Sequence, residues 1–511
     1  MGTRVKNSLK NAQIAFFCYI VNLILSFISR KIFLDYLGAE VLGLNTTIIN
    51  ILGFLNLAEL GIGAAVAFSL YSPLYQNDRK VIYEIIYLQR YFYRIVSLIM
   101  IVVGIIITFF FHRIFAKVDL PLWYPIATFW VLLLGVIVNY LVNYKQVLLS
   151  ADQKEYVITV NFQFFKVFKL VLQILAIKYY ENGYVWWLLI EIVFSILTAI
   201  SLNIVEGKIY PWLKRKEKLN IGYIKQKHNV VFIKTKQLFF HKMASFVLSQ
   251  SSPIIIYAYT SLTIVAIYGN YLLITSGVTM LVNSIFNSVN SSIGNLVAEG
   301  QKNIILKTFY ELLSSRFWFV SVISFAVYNY SNDFIRLWVG SGYVVENNTF
   351  ILIVLIPFIH LVRSVVDSFI AAYGLFQDIW SPIIEASVCL FASIVLGYYW
   401  GLFGILTGSL ISLLLVILIW KPYFLFTRGF KESYMLYYKK FIQYFIVSFF
   451  SFYLVIKIDI LDSFHCSNYV SFMMFALLGT LFYAVILCVL YILIFPEYKR
   501  FVMRINHLLK K

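Results

Sequence analysis

The chain has 511 residues, of which 61% are hydrophobic and 13% charged. Soluble domains are about 45–50% apolar and about 25% charged, so this composition excludes a fold solvated mainly by water and points to lipid. The formal net charge is +19, but no basic domain stands apart from the loops between apolar runs. That excludes nucleic acid as the cause and points to the Lys- and Arg-rich cytoplasmic loops of membrane proteins.

About 20 apolar residues cross a bilayer core as a helix. Taken in chain order, the apolar runs predict an all-α polytopic membrane protein of about fourteen transmembrane helices. The spans fall near 12–34, 42–70, 94–111, 123–145, 156–177, 184–205, 238–259, 264–297, 313–330, 350–373, 381–399, 402–420, 441–457 and 469–495. The basic N-terminus runs into span 1 with no small-residue cleavage site, so it reads as a retained helix rather than a signal peptide. Spans 2 and 8 are too long for one upright crossing, which predicts tilt or a break. Tyr and Trp pairs such as Tyr179-Tyr180, Trp186-Trp187 and Tyr398-Tyr399 fall near span ends, where amphipathic rings prefer the headgroup level.

An even span count puts both termini on one side. That side carries 32 Lys and Arg, the other seven, and three lie within spans, of 42 in all. Such asymmetry predicts cytoplasmic termini. The longest loop on that side, near 206–237, is basic and is expected to lie on the inner leaflet. No loop is long enough for a catalytic domain, and there is no P-loop, HExxH motif or nucleophile elbow. The expected class is therefore not an enzyme, with no cofactor and no metal. Cys18, Cys389 and Cys488 lie in apolar runs and Cys466 in a short loop, a spacing that suggests neither a disulfide framework nor a metal site.

A weak internal repeat runs through the chain. Ala39-Glu40-Val41-Leu42-Gly43-Leu44 opens span 2, and Val265-Ala266-Ile267-Tyr268-Gly269-Asn270 opens span 8. Ala151-Asp152-Gln153 after span 4 has a loose counterpart in Leu375-Phe376-Gln377-Asp378 after span 10. An offset of six spans preserves orientation, which predicts a parallel repeat about an axis along the membrane normal. The expected organisation is a six-helix lobe over 1–205, a basic loop over 206–237 and a second six-helix lobe over 238–420. Residues 421–511 would add two helices and a basic tail to the two pseudo-symmetric lobes.

Polar residues inside spans are costly, so they mark candidate sites. Gln163, Lys166, Lys169 and Gln173 make one helical stripe on span 5, with both lysines near mid-span. Two like charges a turn apart favour an anion, or else pairing with a carboxylate such as Glu191. Span 10 holds His360, Arg363 and Asp367; the last two fit an i, i+4 ion pair as well as a binding role. Span 8 presents Asn283, Asn287, Asn290 and Gly294 on one face, suited to interhelical hydrogen bonds or to a wall that contacts sugar hydroxyls. Arg30 at the end of span 1 is a further cationic candidate. Span 2 offers Asn56, Glu59 and Gly63, span 4 offers Asn139 and Asn143, and Glu385 follows Pro382 at the start of span 11. Glu59, Asp367, Glu385 and Glu191 are candidates for carrying H⁺ or Na⁺, or for balancing Arg and Lys.

Several stretches together carry a family likeness: Leu37-Gly38-Ala39-Glu40-Val41-Leu42-Gly43-Leu44, Leu57-Ala58-Glu59-Leu60-Gly61-Ile62-Gly63, Leu148-Leu149-Ser150-Ala151-Asp152-Gln153-Lys154, Ile293-Gly294-Asn295-Leu296, Phe334-Ile335-Arg336-Leu337-Trp338 and Tyr373-Gly374-Leu375-Phe376. In order and spacing the chain resembles bacterial polysaccharide repeat-unit flippases of the O-antigen and capsule type. Their superfamily also holds MATE-type drug exporters and the peptidoglycan lipid flippase, the two alternatives to the primary reading. The resemblance implies a bacterial cytoplasmic (inner) membrane location, lobes around a central cavity, alternating access and a substrate made of an oligosaccharide on undecaprenyl pyrophosphate. It also implies polysaccharide polymerase and glycosyltransferases as pathway partners. Lys166, Lys169, Arg363 and Arg30 would then neutralise the pyrophosphate, and Asn283, Asn287, Asn290, Gln163 and Gln173 would contact sugars. The family likeness also calls for an Asp in span 7, where Ser249-Gln250-Ser251-Ser252-Pro253 holds no acid. Dominant acidic groups would favour a drug exporter instead, and a catalytic loop a glycosyltransferase.

Overall fold

The computed structural model describes residues 3–59, 61–214, 220–287, 290–375, 377–378, 380–457 and 468–509. The fold is all-helical among these residues, and ten helical stretches are long and apolar enough to cross a bilayer. This is a multi-pass membrane protein. Contacts divide it into two compact units, Met1–Ala266 and Ile267–Lys511.

The first unit contains α1 (Thr3–Leu55), α2 (Ile62–Gln76), α3 (Arg79–Ile114), α4 (Trp123–Val142), α5 (Gln146–Ala151), α6 (Glu155–Tyr179), α7 (Gly183–Ile209), α8 (Ile221–Lys227) and α9 (Asn229–Tyr259). Helix α1 joins span 1 to the start of span 2 and turns at Gly38, whose φ of 81° suits a residue without Cβ. Span 2 breaks as its length predicts: a 3₁₀ turn over Asn56–Glu59 ends the first stretch, and Gly61, at φ 93°, caps the start of α2. Helices α6 and α7 pack against each other, α6 against α1, and α4 against α7. Helix α9, expected to open the second lobe at 238, packs on α1 and α2 and so falls within the first unit. Within the basic loop, α8 docks on α3. Glu84, buried on α3, accepts from Lys227 Nζ at 2.8 and 3.0 Å and lies 2.8 Å from His228 Nε2.

Helix α10 (Leu262–Asn287) begins in the first unit and continues into the second. There follow α11 (Asn290–Glu299), α12 (Lys302–Trp338), α13 (Asn347–Ala372), α14 (Trp380–Ser412), α15 (Lys421–Phe424), α16 (Met435–Lys457), α17 (Tyr469–Ile494) and α18 (Pro496–Leu509). Span 8 covers α10 and α11, and residues 288–289 between them lie outside the described residues. Spans 11 and 12 form one helical stretch, Trp380–Phe430, folded at Gly401 (φ 54°) and carried on by π-helical turns. Its halves approach so closely that a Cβ on Gly404 would stand 2.0 Å from Leu396 O. The core of this unit is aromatic: Phe309, Phe317 and Phe325 of α12 meet Phe369, Phe430, Tyr437, Tyr444, Tyr483 and Tyr491. The two C-terminal spans, α16 and α17, are therefore built into that core through α12. Helix α18 is tied to the same helix, because Arg500 and Arg504 reach the buried Glu311 carboxylate at 3.1 and 2.9 Å.

Candidate functional site: a polar cavity and a buried charge network

In the first unit a cavity of about 650 Å³ opens between α1, α4, α6, α7 and the 3₁₀ turn. Helical periodicity places the α6 stripe on its wall, and Gln163, Lys166 and Lys169 all line it. Helix α7 adds Glu191, Ser195 and Thr198, helix α4 adds Asn139 and Tyr140, and the turn adds Asn56.

The two lysines differ. Lys169 Nζ lies 2.6 Å from Glu191 Oε1. The second Glu191 oxygen accepts from Gln173 Nε2 at 2.9 Å, and that amide also donates to Trp187 O at 3.2 Å. Lys169, Glu191 and Gln173 are thus a closed, charge-balanced set. Lys166, one turn away, has no ion pair or hydrogen bond among the described residues. The cavity therefore presents one unbalanced cation, where the sequence pattern offered two. Gln163 accepts from the Asn22 amide, which fixes its orientation from α1.

A second polar group borders the cavity. Tyr93 donates to Glu59 Oε1 at 3.3 Å, Tyr140 donates to Asn56 Oδ1 at 3.0 Å, and the two rings lie 4.8 Å apart. Asn143 donates to Asn139 Oδ1 at 2.8 Å. A Cβ on Gly63 would come within 3.0 Å of Glu59 Oε1, so the break in span 2 brings the carboxylate close to α2. Arg30 is not in the cavity lining; its Nη2 donates to Ala266 O at 3.0 Å.

The second unit gathers Arg363, Asp367, Glu385 and Lys421. Arg363 Nε lies 2.6 Å from Asp367 Oδ2 and its Nη1 lies 3.7 Å from Glu385 Oε1, while Lys421 Nζ lies 3.8 Å from Asp367 Oδ1. Two cations and two carboxylates balance, and the Glu385 side chain is 4% exposed. The i, i+4 pairing of Arg363 with Asp367 is therefore present, extended by two residues from other helices. Lys421, counted from sequence as a cytoplasmic loop cation, belongs to this network.

Asn283 accepts from Arg316 Nη2 at 2.9 Å. The side chains of Asn287 and Asn290 lie outside the described residues. Arg316, near the start of the predicted span 313–330, is counted among the 32 Lys and Arg of the cytoplasmic side and is not singled out from sequence. It is 1% exposed, donates through Nε to Leu361 O at 2.8 Å, and lies over the Phe286 ring at 4.2 Å. The available signal was its helical register with the core residues Phe309, Leu313, Phe317 and Val320.

No protein-family model matches the chain, and no curated protein matches it. Several solved structures share its fold. A lipid II flippase MurJ in an inward closed conformation superposes with a TM-score of 0.65 at 16% identity, covering 95% of this chain and 99% of that one. An inward-facing multidrug resistance MATE family transporter of the MOP superfamily gives 0.55 at 12% identity, covering 81% and 97%. The Vibrio cholerae MATE transporter VcmN in its bent form gives 0.51 at 12%, covering 84% and 99%. At these identities the likeness is one of fold.

Proposed function

We propose that the chain is a flippase that moves an oligosaccharide linked to undecaprenyl pyrophosphate from the cytoplasmic to the outer leaflet of a bacterial cytoplasmic membrane. The observation that carries this reading is Lys166, a cation without an ion pair among the described residues, inside a cavity whose polar lining is otherwise amides, hydroxyls and a self-neutralised pair. In a low-dielectric cavity such a charge attracts phosphate strongly, and Asn56, Asn139, Ser195 and Thr198 offer hydrogen bonds to sugars. The polyprenyl chain stays in lipid. The cavity's one net positive charge opposes a cationic drug as cargo. The fold likeness to transporters supports alternating access, with the two units as the moving parts.

Arg363 takes a different role from the one its charge alone implies. Its guanidinium is committed to Asp367 and Glu385, so this balanced cluster, rather than the substrate, engages it. Asp367, Glu385, Glu59 and Glu191 remain the groups through which H⁺ or Na⁺ would drive transport. The polymerase and glycosyltransferases of the same pathway would act before and after it.

The test is transport in proteoliposomes of a fluorescent oligosaccharide on polyprenyl pyrophosphate, with peptidoglycan precursor lipid and a cationic dye as alternative cargoes. Lys166→Ala should abolish movement of the oligosaccharide lipid. Wild-type rates in that variant, or transport of the dye alone, would overturn the proposal.

A further inference from the structure

A second charged cavity lies away from both sites, in the second unit, and the internal repeat gives it meaning. In the first unit Asp152 follows the fourth span. Tyr210, at the end of the sixth, donates to Asp152 Oδ2 at 2.7 Å. Lys154, two residues after the aspartate, closes the arrangement with its Nζ 2.6 Å from the same oxygen and 5.2 Å from the Tyr210 ring centroid. In the second unit Asp378 follows the tenth span. Trp420, at the end of the twelfth, donates Nε1 to Asp378 Oδ2 at 2.9 Å. The same hydrogen bond thus recurs, from an aromatic at the end of the last span of six to an aspartate after the fourth.

The cation does not recur. Two residues after Asp378 stands Trp380, and among the described residues no Lys or Arg nitrogen lies within 4.0 Å of the Asp378 carboxylate. Asp378 instead lines a cavity of about 590 Å³, together with Trp380, Ser381, Trp420, Phe424 and Arg428. Arg428 has no carboxylate partner among the described residues. Ser381 also lines the cavity; it is 3% exposed, its backbone N–H donates to Asp378 Oδ1 at 3.3 Å, and its buried hydroxyl has no hydrogen-bond partner among them. One anion and one cation, neither in an ion pair among the described residues, therefore line a space with aromatic and aliphatic walls. Tryptophans of this kind sit at the headgroup level of a bilayer.

We propose that this cavity binds the headgroup of a zwitterionic aminophospholipid. Its ammonium stands against Asp378, where Lys154 Nζ stands in the first unit. Its phosphate takes the Arg428 guanidinium, a planar donor fork suited to phosphate oxygens. The acyl chains lie along Ile384, Leu415 and Phe424. This site is independent of the oligosaccharide cavity and stands or falls separately.

Native mass spectrometry of the full chain in detergent tests it, with phosphatidylethanolamine, phosphatidylglycerol and inorganic phosphate as probes. The wild type should retain phosphatidylethanolamine at least fivefold over phosphatidylglycerol. Asp378→Asn should erase that preference, and Arg428→Gln should weaken both lipids. Trp380→Lys restores the cation of the first unit and should exclude phosphatidylethanolamine while leaving the unfolding temperature at or above wild type. That variant keeps the test decisive if Asp378→Asn does not fold. Equal retention of both lipids, retention unchanged in all three variants, or displacement of bound lipid by inorganic phosphate would overturn the assignment.

Discussion

Lys166 and Glu191 line the same cavity, yet their removal should have opposite consequences. Losing one partner of a wholly buried ion pair costs about 3–5 kcal/mol, because the remaining charge is left uncompensated. The Lys169 and Glu191 side chains are 23% and 12% exposed and face an open cavity, so water recovers part of that loss and Glu191→Gln should cost about 2 kcal/mol. Lys166 has only a like charge near it. Repulsion between like charges a turn apart is worth about 0.2–0.5 kcal/mol on a helix, and Glu191 already neutralises Lys169. Lys166→Met should therefore shift stability by less than about 0.5 kcal/mol, with a slight gain the more natural sign. Its transport of the oligosaccharide lipid should nevertheless fall at least tenfold. Thermal unfolding of the full chain in detergent and transport in proteoliposomes, measured on the same preparations, give both axes. The reasoning fails if Lys166→Met unfolds as readily as Glu191→Gln, or if it transports like wild type.

Two further outcomes follow from packing and charge. An added Cβ on Gly43 would stand 1.9 Å from the carbonyl oxygen of Leu262; backbone cannot yield as a side-chain tip can, so Gly43→Ala should cost about 1–3 kcal/mol by overpacking, read as a lower unfolding midpoint. The hydrogen bond to Glu84 holds the Lys227 ammonium above its ordinary lysine value. Its contribution to docking α8 is full below the unfolded-state value of about 10.4 and is lost as pH rises through the higher folded value. Protection of residues 221–227 against hydrogen exchange, taken relative to the unstructured-chain rate at each pH, should therefore hold across neutral pH and fall only in strong alkali, and Lys227→Gln should show reduced protection already at neutrality.

Helices were legible because lipid imposes one rule on every span: about 20 apolar residues with the backbone satisfied internally. Each of the fourteen apolar runs has a helical counterpart, and the over-long span 2 did signal its break. The turns were less legible. Gly38 and Gly401 lie in the gaps between predicted spans 1 and 2 and spans 11 and 12, but the helix runs on through each corner at a glycine of positive φ instead of opening into a loop, which spacing does not announce. Charge partners were least legible, since they depend on which faces meet. The stripe on α6 was visible from spacing, but nothing in spacing says that Lys169 faces Glu191 while Lys166 faces open space. The polar run Glu311, Ser314, Ser315 and Arg316 reads like the end of a loop, yet all four are buried in α12. Glu311 is matched by Arg500 and Arg504, nearly 190 residues later in the chain.

Arg316 is the sharpest case of a charge whose role only packing reveals. It is fully buried without a carboxylate, and its Nη1 has no hydrogen-bond partner among the described residues. An unneutralised buried cation costs several kcal/mol in desolvation, roughly as much as two hydrogen bonds to a charged donor return at about 1.5–3 kcal/mol each. Two acceptors on two helices, Leu361 O on α13 and Asn283 on α10, and the face of Phe286 are what the guanidinium has in exchange. Planarity lets one group serve all three. Lysine keeps the charge but presents a single point of donation and cannot lie flat on the ring. Arg316→Lys should therefore be more destabilising than Arg316→Met, by about 1–2 kcal/mol, because it retains the desolvation cost and loses part of what offsets it. Unfolding midpoints in the reverse order would mean that the charge itself, rather than the forked geometry joining α10, α12 and α13, holds this core together.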